Sequence, residues 1–121
     1  AERNAYRSSQ ITLDQARRDF EQQRDEVGRD VRNLLRQIKT IELQVDLQRE
    51  QISQEQRAVA VSEIRYEAGD VDNRDLLDAR ASLALAQNEL IRLLADHLSQ
   101  RLRLLKAMGI LVIHEDGSWA T

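Results

Sequence analysis

The chain has 121 residues, of which 32% are charged and only 3% aromatic, with no proline and no cysteine. A formal charge of −3, with acidic and basic side chains interspersed, leaves no broad basic face for nucleic acid. The missing cysteines exclude disulfides and thiolate metal sites. A composition this rich in Gln, Arg, Leu, Ala and Glu is that of long helices or coiled coils. Few glycines and no proline leave few places to turn, which argues against a many-layered core. No apolar run approaches the roughly 20 residues that span a bilayer. The chain opens on Ala1-Glu2-Arg3 without a signal peptide, as expected of a fragment or a processed chain.

Residues 1–13 are polar and weakly patterned. Thr12 and Gln15 have the spacing of a capping box, yet nothing around them breaks a helix, so a helix already under way is expected there. From Phe20 the pattern sharpens. Phe20, Arg24, Val27, Val31, Leu34, Ile38, Ile41, Val45, Gln48 and Ile52 alternate in steps of four and three. Such a repeat makes a left-handed coiled-coil seam. Leu35, Leu43 and Leu47 lie beside the seam and widen it. Gly28 inside this helix is either a tolerated glycine or a point of close approach by another helix. Between Ser53 and Arg57 the seam loses its apolar residues. It is expected to resume, offset in register, at Ala58, Ala60, Val61 and Ile64.

The next stretch is the one plausible break. Ala68-Gly69 suits a helix end with glycine in the left-handed position. Asp70, Asp72 and Asn73 can each cap a following helix, and Asp72 with Asp75 has capping-box spacing. A helix stop, a few polar residues and a helix start predict an αα-hairpin. The return helix carries two apolar stripes. One is Leu76, Ala79, Leu83, Ala86, Leu90 and Leu93; the other is Leu77, Ala81, Ala84, Ile91, Ala95, Leu98, Leu102 and Leu105. Two stripes imply contact on two sides, as in a bundle or a closed ring of helices. Gly109, with Lys106 before it, is expected to end the helix. Ile110 to Ile113, the Asp116-Gly117 turn signal and Trp119 would form an irregular tail.

The fold class expected is therefore all-α, a long antiparallel helical hairpin. One helix spans about residues 3–67, the tip turn 68–72, and the second helix about 73–108. The excess length of the first helix calls for a partner outside the hairpin. His97 and His114 have no companion at ligand spacing, so no metal or other cofactor is expected. No nucleophile–base pairing or phosphate loop is present to suggest an enzyme.

Several segments resemble the outer membrane efflux protein family of TolC-like channels. They are Arg65-Tyr66-Glu67-Ala68-Gly69, Asp75-Leu76-Leu77-Asp78-Ala79, Leu83, Ala86-Gln87-Asn88-Glu89-Leu90 and the closing Leu104-Leu105-Lys106-Ala107-Met108-Gly109-Ile110-Leu111. The resemblance implies a trimer with an outer-membrane β-barrel and a periplasmic barrel of helices, in a Gram-negative-type envelope. Each protomer would carry two repeats, each with a long helix to the periplasmic tip and a shorter return. This chain would be one such hairpin, without the β-barrel segments and the other repeat. It would serve efflux or type I secretion, and its tip would dock on a periplasmic adaptor and form the gate. Tyr66, Asp75 and Asp78 are the gate and entrance residues so implied, the two carboxylates forming rings in the trimer. Arg65, Gly69, Asp70, Val71, Leu76 and Leu77 are the tip-turn and docking residues so implied. Val71 departs from the pattern, because the resemblance places a gate arginine there. The alternatives are an adaptor-type hairpin of a membrane fusion protein and a generic coiled-coil interaction module. The unequal arms count against the first, and the two-stripe return helix against the second.

Overall fold

A computed structural model describes the backbone of residues 1–116 and the side chains of residues 1–109. Two helices account for nearly all of it: α1 at Glu2–Glu67, 66 residues long, and α2 at Asn73–Asp116, 44 residues long. They pack against each other as an antiparallel helical hairpin. Five residues, 68–72, join them, as the run of glycine and aspartates predicts.

The chain divides into two compact units, 37–101 and 1–36 with 102–121. In unit 37–101 α1 is covered along Ile38, Ile41, Val45, Gln48, Ile52, Glu55, Val59 and Ser62, with Ser53 beside them. α2 is covered along Leu76, Ala79, Leu83, Ala86, Leu90, Leu93, His97 and Gln100, with Glu89 and Asp96 beside them. Both series step by three and four, the spacing that keeps one stripe facing a partner helix. Ile38, Val45, Leu76, Ala86 and Leu93 are the buried core. Fully burying a side chain of Val, Leu or Ile size contributes about 1.5–3 kcal/mol, so these layers and the partly covered aliphatic positions between them stabilise the pairing. The pairing is partly polar. Gln48 Nε2 donates to the Ala86 carbonyl at 2.9 Å, where the small alanine leaves room to reach the backbone. Gln100 Oε1 is buried without a hydrogen-bond partner.

In the other unit the covered positions are Val27, Gly28, Val31 and Leu34 on α1 and Leu104 and Ala107 on α2. Residues 1–26 are exposed throughout, including Tyr6, Ile11, Leu13 and Phe20. The seam expected from Phe20 and Arg24 is thus covered only from Val27.

Two details differ from the sequence reading. The seam does not shift register after Ser53; it continues through Glu55, Val59 and Ser62, and Ile64 is 67% exposed. Apolarity conceals this, because the repeat places a carboxylate and a hydroxyl at seam positions. Secondly, α2 does not stop at Gly109 but continues to Asp116, which replaces the irregular tail expected from residue 109. Gly69 is the one described glycine with positive φ, so Gly109 does not take the left-handed C-cap conformation. One glycine inside a helix costs about 1 kcal/mol, too little to stop propagation where no proline intervenes. The Gly117 turn and Trp119 lie outside the described residues. As expected, α1 is already under way at Glu2 and runs through the capping-box candidates. Thr12 Oγ1 instead donates to the Ser8 carbonyl at 2.9 Å, one turn back.

Candidate functional site at the hairpin tip

The tip begins where α1 stops. Gly69 has φ of 80°, a conformation that costs an L side chain and suits glycine. The Gly69 amide donates to the Tyr66 carbonyl at 3.0 Å, and the Asp70 amide donates to the Arg65 carbonyl at 2.8 Å. These two bonds define a Schellman motif, which satisfies carbonyls that the last turn would leave without partners. Two residues on, the Asp72 carbonyl accepts from the Asp75 and Leu76 amides at 3.1 and 3.4 Å. Asp72 is thus the N-cap of α2. The reciprocal carboxylate bonds of a capping box are not formed among the described residues. Asp75 in the first turn also faces the positive end of the helix dipole.

This geometry sorts the residues singled out from the sequence. Arg65, Tyr66, Gly69, Asp70, Asp75 and Asp78 are exposed, and Val71 is partly covered. Leu76 and Leu77, adjacent in sequence, separate: Leu76 is 6% exposed in the seam, whereas Leu77 is 54% exposed. Asp75 and Asp78, three apart on α2, present carboxylates on one helical face. The hairpin brings these residues together at one end, because the tip turn is short and both helix ends are capped. Just behind the tip, Arg80 Nη2 donates to Glu63 Oε1 at 3.2 Å and ties the two helices together across an exposed flank.

Farther from the tip, His97 Nε2 lies 3.2 Å from Glu42 Oε1 across the hairpin. The two border an open groove of about 350 Å³ with Val45, Asp46, Arg49 and Leu94. The sequence reading found no companion for His97. The signal was there in its seam position, seven residues after Leu90, which faces it toward α1. Among the described residues no group of three His, Cys, Asp or Glu side chains is placed to hold a metal ion. On α2, Arg92 bonds both Glu89 and Asp96, one turn to either side. The hydrogen bond from Arg92 holds the Glu89 carboxyl below its usual pKa, and the same bond raises that of Arg92.

Among the described residues nothing covers the second apolar stripe of α2. Leu77, Ile91, Leu98, Leu102 and Leu105 are exposed, and so are Leu43, Leu47, Val61 and Ile64 on α1. No helix among the described residues is long and apolar enough to cross a membrane.

A family profile described as outer membrane efflux protein matches residues 1–110. No match was found among curated proteins or among solved structures. The chain belongs to the outer membrane efflux protein family. Its role is therefore of the outer-membrane efflux type, in a family of transport channels rather than enzymes.

Proposed function

We propose that this hairpin is one segment of the periplasmic helical wall of a trimeric efflux or type I secretion channel. The β-barrel strands and the second repeat of that channel are supplied by sequence outside the hairpin. The tip is its adaptor-docking and gating end. The observation that carries this reading is the uncovered second stripe of α2. A free-standing coiled coil needs one seam, whereas a helix in a closed ring needs two.

At the tip, Arg65, Gly69, Asp70, Val71 and Leu77 form the docking end, with Leu76 holding that end in place from the seam. Tyr66, Asp75 and Asp78 border the entrance. Threefold repetition of the two exposed carboxylates gives two rings of negative charge, which raise the local cation concentration. Docking uses the tip turn because its backbone is fixed at both ends by capping bonds, so little order is lost on binding.

The test is cysteine crosslinking in membranes. Single cysteines at Val71 and Leu77 of the full-length channel are offered to candidate periplasmic adaptors, with Asp30 as a control far along α1. Crosslinks at both tip positions but not at Asp30 support the reading. Crosslinks spread along the hairpin, or formed only between copies of the chain, count against docking at the tip.

A further inference from the structure

We draw no further inference here: the strongest candidate, the uncovered apolar stripe of Leu77, Ile91 and Leu98 along α2, is already the surface that neighbouring hairpins share in the proposed channel wall, and nothing in the structure indicates another occupant.

Discussion

Gly69 and Gly28 show how differently one residue type acts in this chain. At Gly69 a Cβ would meet nothing within 4 Å, so the only obstacle to a side chain is the backbone conformation itself. Gly69→Ala is expected to destabilise the hairpin by about 1 kcal/mol, read as a lower thermal midpoint in circular dichroism. Gly28 is helical, and a Cβ there meets only Arg32 Nη1 at 4.0 Å. Among the described residues no other helix's backbone approaches it closely, so the tolerated-glycine reading accounts for it here. Gly28→Ala is expected to raise the midpoint, by about 0.5–1 kcal/mol of stability. Midpoints that fall together would mean that an unseen neighbour crowds Gly28. The Glu89–Arg92 pair offers a third test at this scale. Its Glu89 pKa is lowered, so what the pair contributes is present above the unfolded carboxylate pKa and is lost as pH falls through the folded one. Both side chains are exposed, and solvent screening keeps that contribution small. Arg92→Gln should move the Glu89 titration upward, toward the usual carboxylate range, when followed by NMR. An unmoved titration would show that the bond is not kept in solution.

At the scale of the helices, the seam is where sequence and structure agree most closely. The run from Val27 to Ile52 and the stripe from Leu76 to Leu93 could both be read from the three–four spacing, because apolar side chains mark nearly every turn. The reading failed where chemistry and position part company. Glu55 and Ser62 occupy seam positions without being apolar, and the nearby Val61 and Ile64 are apolar without facing α2. Likewise Gly109 carries the composition of a helix end without its backbone conformation. A half-covered carboxylate at a seam position loses hydration, and the bond from Gln51 Nε2 at 2.9 Å returns only part of it. Glu55→Leu is therefore expected to stabilise the hairpin by about 1–2 kcal/mol. Leu93→Ala, at the most covered position of the core at 5% exposure, should cost about 2 kcal/mol or more. Urea midpoints of the two variants should move in opposite directions. A destabilised Glu55→Leu would place this carboxylate in contacts that the hairpin alone does not contain.

For the whole molecule, the decisive feature is the apolar surface left open on both helices. The tip was legible because turns depend on a few residues with strong local preferences, here Gly69, Asp70 and Asp72. The stripes too were legible as stripes, but nothing in their spacing says which one the chain covers itself. The structure resolves that choice: Leu76 to Leu93 face α1, while Leu77, Ile91 and Leu98 remain open. An exposed row of this length invites association, and in the proposed channel wall it would meet the adjacent hairpin. Charges placed on it should therefore separate folding from assembly. Ile91→Glu and Leu98→Glu together are expected to leave the helicity and thermal midpoint of the hairpin nearly unchanged, since neither side chain lies in its seam. In the full-length channel the same pair should abolish the trimer, measured by crosslinking in membranes and by size-exclusion chromatography in detergent. Leu93→Ala supplies the contrast, lowering the midpoint of the hairpin itself. A channel that assembles normally with two carboxylates on this stripe would remove the stripe from the subunit contacts, and with it the main support for a closed ring of helices.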